Sequence, residues 1–247
     1  MTTAAWYLLK SQSLWARWFN VLHLPFTGWH LSYIVIGACL ADSVNLPLLG
    51  WTLLAFFLGM GIGAHCFDLF KGDPLKLGLN PRALILVGGL GLILATGVGL
   101  WQILLGSVQL ELILVLPVGL ILALGYGLEW KGLHGDWQFA LWWAGFPLIV
   151  SYLAQGLDFT WALIPVLIFA LTSATAQRVL STKARYLRRR VSESELYLRE
   201  WNANENEFLY GKRYDKMWIL EPLDHSLAWL SLTMLTLALG VLVWRMT

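Results

Sequence analysis

Charge is scarce in this chain, and so are the signatures of the common catalytic centres. Asp, Glu, Lys and Arg make up 13% of the residues, against 58% hydrophobic. A soluble fold of that composition would need an implausible number of wholly buried helices. The period-2 alternation of a transmembrane β-barrel does not occur in the sequence. There are 2 cysteines, and Cys39 and Cys66 fall near opposite ends of their expected helices, too far apart for a disulfide. The chain has no His-Glu-x-x-His pair, no cysteine cluster and no phosphate-binding glycine loop. Its opening, MTTAAWYLLKSQSLWARWFN, lacks the basic tip and short apolar run of a signal peptide.

What is present is one pattern repeated: an apolar run of about 20 residues, long enough to cross a bilayer core, then a short polar turn. The spacing predicts helices over 18–41, 47–68, 82–105, 110–129, 137–156, 160–181 and 225–244. Asn80-Pro81 reads as an N-cap followed by proline at the first helical position, and Asp136 and Asp158 stand before their helices in the same way. The fold class expected is therefore an all-α polytopic membrane protein, a bundle of about seven transmembrane helices. Residues 1–181 would form six spans, 182–224 a basic cytoplasmic segment, and 225–247 the seventh span and a short tail. In the segment, Ser192 and Glu195 have capping-box spacing.

The basic residues are segregated. With the N-terminus in the cytoplasm, all of the 17 Lys and Arg except Arg245 fall on the inner side, which is the bias that sets orientation. This implies a protein of a prokaryotic cytoplasmic membrane, with its N-terminus inside and its C-terminus outside. The glycines of span two (Gly59, Gly61, Gly63) and span three (Gly88, Gly89, Gly91, Gly97, Gly99) predict close helix packing.

The same topology gathers ionisable groups at the inner face: His30 in span one, His65 and Asp68 three apart on one face of span two, Glu129 at the end of span four, and His134 and Asp136 in the next turn. Asp73, in Gly-Asp-Pro, follows span two. A charge at the centre of a membrane helix costs about 2.5–3.5 kcal/mol, so such groups usually face a cavity. The run Lys183-Ala-Arg185-Tyr-Leu-Arg188-Arg189-Arg190 reads either as a cluster attracted to anionic lipid or as a clamp for a phosphorylated ligand.

Around Gly63-Ala-His-Cys-Phe-Asp-Leu-Phe-Lys-Gly-Asp73, and again at Pro25-Phe-Thr-Gly28 and through Phe139–Gln155 and Ser173–Arg190, the chain resembles the UbiA superfamily of intramembrane prenyltransferases. The resemblance covers roughly residues 17–190 and implies a UbiA-like bundle. Members carry Asn-Asp-x-x-Asp-x-x-x-Asp where span two meets its loop, and a second Asp-rich motif after span six, which together hold magnesium and a prenyl diphosphate. Here Ala64 and His65 replace Asn-Asp, Gly72 takes the last acidic position with Asp73 one residue late, and Thr175-Ala-Gln-Arg-Val-Leu-Ser-Thr182 has no acid. The family's span-four Tyr and Lys fall at Tyr126 and Lys131, and the family typically has nine spans.

The resemblance implies transfer of a prenyl group from a prenyl diphosphate to a lipophilic or aromatic acceptor. His65, Asp68 and Arg178 would be catalytic; Lys183, Tyr126 and Trp29 would bind substrate. Candidate metal ligands are Asp68, His65, Asp73, Glu129, His134 and Asp136, holding magnesium by family resemblance, or zinc, iron or manganese given the histidines. Trp130 joins Tyr126 and Trp29 as an aromatic able to stabilise an allylic cation. Two other readings stay open: a metal-dependent hydrolase or oxidase using the His/Asp/Glu cluster, and a non-catalytic lipid-binding or transport protein on a degenerate prenyltransferase scaffold. The partners expected are membrane lipids and an isoprenoid or other lipophilic substrate, with no nucleic acid.

Overall fold

A computed structural model describes residues 4–156, 158–199, 201–202, 207–208 and 211–247. The chain is a helical bundle. Its helices are α1 (Leu14–Val21), α2 (Leu24–Ala38), α3 (Leu46–Gly72), α4 (Pro81–Leu104), α5 (Leu110–Gly127), α6 (136–154), α7 (Leu163–Arg190) and α8 (Met217–Met246). Five of them, α3, α4, α5, α7 and α8, are long and apolar enough to cross a membrane. Their outer faces carry bare aliphatic side chains, among them Leu86 at 72% and Ile93 at 69% exposure. Lipid is the solvent that makes such a surface stable.

The helix starts follow local chemistry. Asn45 and Asn80 each cap a helix, their side chains accepting from the amides of Leu48 and Arg82 at 3.1 and 2.8 Å. Proline sits in the first turn of both helices, where its missing N–H costs nothing. The first expected span, 18–41, is broken in two. Pro25 falls in the first turn of α2, where it has no amide to give up and where its ring meets no carbonyl of a preceding turn. His23 takes a left-handed conformation (φ 45°) ahead of α2, and the Thr27 hydroxyl donates to the Leu22 carbonyl at 2.6 Å.

Other boundaries also move. Asp136 is the first residue of α6, behind Gly135 at the cap, and Asp158 lies well before α7, whose cap is Ala162. Neither is an N-cap. Helix α7 runs on to Arg190, so the basic run Lys183–Arg190 is helical rather than part of a separate segment. Ser192 and Glu195 start no helix; the chain there enters short antiparallel strands. Strand β1 (Leu196–Leu198) pairs with β4 (Lys212–Tyr214), and β2 (Trp201–Asn202) with β3 (Glu207–Phe208). The all-α expectation thus omits two short antiparallel strand pairs.

Helix α2 is the centre of the bundle. It has 15 residues and is buried along most of its length, with α6 and α8 packed against it. Trp29, Tyr33, Tyr152 and Leu148 are among the most buried large side chains. The Trp29 indole donates to the Tyr33 hydroxyl at 2.7 Å, and that hydroxyl also meets Ser173 Oγ at 2.8 Å, which ties α2 to α7. Three segments depart from α geometry: Leu110–Leu114 at the start of α5 is a 3-10 helix, and Phe57–Ala64 in α3 and Leu141–Gly145 in α6 are π-helical. The π turns are rare and often mark functional sites.

Candidate functional site

Both π segments end at the floor of one cavity of about 720 Å³. The ring of His65, which follows the first, stacks on Trp143 in the second, with centroids 6.2 Å apart and planes 12° apart. Tyr126, at the end of α5, meets Trp143 edge-on at 5.1 Å and stacks on His134 at 4.5 Å. His30 and Phe139 complete an aromatic floor. Three imidazoles are oriented by main-chain carbonyls: His30 Nδ1 by Trp143 (2.9 Å), His65 Nδ1 by Gly61 (3.1 Å) and His134 Nδ1 by Tyr126 (3.0 Å). With Nδ1 as donor in each, Nε2 is left as an acceptor.

The walls above that floor are cationic. Lys71, Lys76, Arg178, Arg185, Arg188, Arg189 and Arg190 line the cavity, against two carboxylates, Asp68 and Glu129. Two of the arginines are held by acids. Arg178 pairs with Asp136 at 2.9 Å and lies over the Phe139 ring at 5.2 Å; Arg188 pairs with Asp224. Arg185 bonds only weakly to its own helix, at Ser181 O (3.3 Å) and Thr182 Oγ1 (3.2 Å). Asp68 interacts electrostatically with Arg185 and Arg189, and with Glu129 and His134. Its carboxylate has no hydrogen bond to a described residue.

The N-terminal segment closes one side. Tyr7 meets His23 and Phe26 edge-on at 5.7 and 5.3 Å, and Leu9 is tied to Asn20 by two hydrogen bonds of 2.8 and 3.0 Å. Burial pushes the Tyr7 phenol up to about 12, even with Arg189, Arg185 and Arg188 pulling the other way. Tyr7 is therefore a neutral donor at any physiological pH. The rings of His23 and His65 are 4.5 Å apart, and the buried Nε2 of His23 has no partner among the described residues.

Of the residues singled out in the sequence, the cavity brings together His30, His65, Asp68, Tyr126, Glu129, His134 and Arg178. It leaves out four. Trp29 is packed inside the bundle with 1% exposure. Lys183 points outward from α7. Asp73 is a turn residue, with φ 41° and a carboxylate that accepts from the amides of Leu77 and Gly78 at 2.8 and 2.7 Å. Asp136 is 72% exposed and faces Arg178. Trp130 also lies outside the lining. The sequence reading missed Tyr7, which precedes the first apolar run, His23, one polar residue inside the first expected span, and Trp143, one of 15 tryptophans with no signal to set it apart.

The carboxylates that the resemblance assigns to a metal are divided: Asp68 and Glu129 line the cavity, whereas Asp73 and Asp136 do not. Among the described residues no group of three or more His, Cys, Asp or Glu is placed to hold an ion. Asp73 accepts from the amides of its own turn, and Asp136 faces Arg178.

A second, apolar cavity of about 160 Å³ lies between α3, α4, α5 and α6, lined by Phe56, Met60, Leu116 and Phe146 among others. Trp143 belongs to both cavities. The two together define a class: a helical membrane protein with a basic, aromatic-floored cavity at one end of the bundle and an apolar cleft beside it. No protein-family model, curated protein or solved structure matches the chain.

Proposed function

We propose that this is an intramembrane transferase of the prenyltransferase type, acting on a prenyl diphosphate at the cytoplasmic face. The observation that carries the reading is the charge of the large cavity, seven cationic side chains to two carboxylates, set directly on an aromatic floor. A diphosphate would lie among the arginines, whose planar forks match phosphate oxygens, and the hydrocarbon chain would run past Trp143 toward the apolar cleft. In this reading α2 and α6 also cross the membrane, giving seven crossings with the N-terminus inside and the C-terminus outside.

The C1–O bond of the donor breaks and the diphosphate leaves with the electron pair. Arg178, Arg185 and Arg189 offset the charge that develops on it, since fixed electrostatics dominate such departures. The faces of Trp143 and Tyr126 stabilise the allylic cation. A carbon or oxygen of the acceptor forms the new bond to C1, and its proton passes to Asp68, the carboxylate left without a hydrogen bond, with His65 as the neighbouring acceptor. No step requires a metal.

The test is incorporation of radiolabelled prenyl diphosphate into lipid by the purified protein. Asp68→Asn is expected to lower the rate by about a hundredfold or more, the usual worth of a positioned base. Equal labelling by both proteins would remove Asp68 from the mechanism. The replacement of the second acidic motif by Gln177, Arg178 and Ser181 supports one other reading, a lipid carrier without turnover, marked by binding with no labelled product.

A further inference from the structure

Resting on the reading above, we infer that the diphosphate is held and neutralised by an arginine stripe on α7, with no bridging divalent cation. Gln177, Arg178, Ser181, Arg185, Arg188 and Arg189 recur at three- and four-residue steps and all line the cavity, so one face of the helix presents them together. Where the resemblance calls for acids to hold magnesium, this face offers guanidinium groups. The charge a metal would bring is already built in.

The carboxylates support the same assignment. Magnesium takes near-octahedral oxygen ligands and is usually held through carboxylates and substrate phosphates. Asp73 spends both oxygens on the amides of Leu77 and Gly78, and Asp136 faces Arg178 from outside the cavity. Asp68 and Glu129 remain, and Asp68 lies in the field of Arg185 and Arg189, which repels a second cation. The arginines, in contrast, are in surplus. Asp136 and Asp224 hold Arg178 and Arg188, while Arg185 and Arg189 have no carboxylate within ion-pair distance among the described residues. These two are positioned to take a doubly or triply charged anion.

The experiment is equilibrium binding of radiolabelled geranylgeranyl diphosphate to the full chain in detergent micelles, in excess EDTA and in millimolar magnesium. The affinities are expected to agree within about threefold, and Arg185→Gln and Arg189→Gln each to weaken binding about tenfold, as loss of a charge-assisted hydrogen bond implies. Asp68→Asn should bind at least as tightly as wild type, since it removes a charge that repels the anion. Arg189→Lys should recover part of the loss, which separates charge from misfolding. Inorganic diphosphate is expected to displace the ligand; displacement by phosphatidylglycerol at equal concentration would mark a membrane-headgroup site and overturn the assignment. Binding that requires magnesium and is lost in Asp68→Asn would also overturn it, leaving the proposed function standing. Absence of binding in both buffers would defeat the proposed function itself.

Discussion

Two ion pairs on α7 look alike in the sequence and differ in energy. Arg188 and Asp224 are 10% and 15% exposed, whereas Asp136 opposite Arg178 is 72% exposed. Removing one partner of a buried pair leaves an uncompensated charge, so Asp224→Asn is expected to destabilise the protein by about 3–5 kcal/mol. Asp136→Asn should cost at most about 1 kcal/mol, as exposed pairs do. Thermal unfolding in detergent measures both, and equal losses would refute the distinction. Asp136→Asn should instead raise KM for the diphosphate donor more than it lowers kcat, because it releases Arg178 from its fixed direction. At this scale Asp68 and His65 were legible, as polar groups in an otherwise apolar wall. Lys183 was assigned to a separate basic segment, 182–224; the helix continues to Arg190, and its 3.6-residue period brings Arg185 and Arg189 to the cavity and leaves Lys183 off its lining.

Close backbone approach shapes the elements around the site. At Gly37 on α2, a Cβ would collide with the carbonyl oxygen of Leu148 on α6, so no side chain fits without moving one helix off the other. Gly37→Val is expected to destabilise by about 2–3 kcal/mol or more, the range for overpacking a rigid core. Gly97 on α4 meets nothing within 4 Å, and Gly97→Ala should be neutral or stabilising by about 0.5–1 kcal/mol through helix propensity. A melting temperature unchanged in Gly37→Val would show that α2 and α6 pack with slack. The glycine rows of α3 and α4 announce such packing, and Gly88 delivers it: a Cβ there would come within 2.9 Å of the Cys66 Cβ. The π turns had no comparable signal. They depend on carbonyls finding partners in space, as Gly61 does with His65 Nδ1, and hydropathy does not report that. The break ahead of Pro25, by contrast, is a local steric rule that the apolar pattern concealed.

The whole molecule is organised by the segregation of its charges. Every basic residue but Arg245 belongs to one end of the bundle in the sequence pattern, and the cavity draws its cations from that end alone. Arg245 lies at the other end, donating to the carbonyl of Cys39 at 2.8 Å. The apolar runs made the bundle legible, yet they could not show that α2, with 15 residues, is a buried central strut while its neighbours face lipid. At a rise of 1.5 Å per residue it is about 22 Å long, less than the roughly 30 Å of a hydrocarbon core. In the proposed seven-crossing topology it would reach both faces only through the turns at its ends, and that is where this topology can fail. Single cysteines at Lys131 and Lys183, both exposed on the basic side, and at Gly106 and Asp158, exposed on the other, test it in a background lacking Cys39 and Cys66. A membrane-impermeant maleimide applied to intact cells should label positions 106 and 158 and spare 131 and 183 until the cells are opened. Labelling of 131 and 158 from the same side would mean that α6 does not cross. The basic cavity would then lose the wall that carries Trp143, and with it the floor on which the proposed chemistry stands.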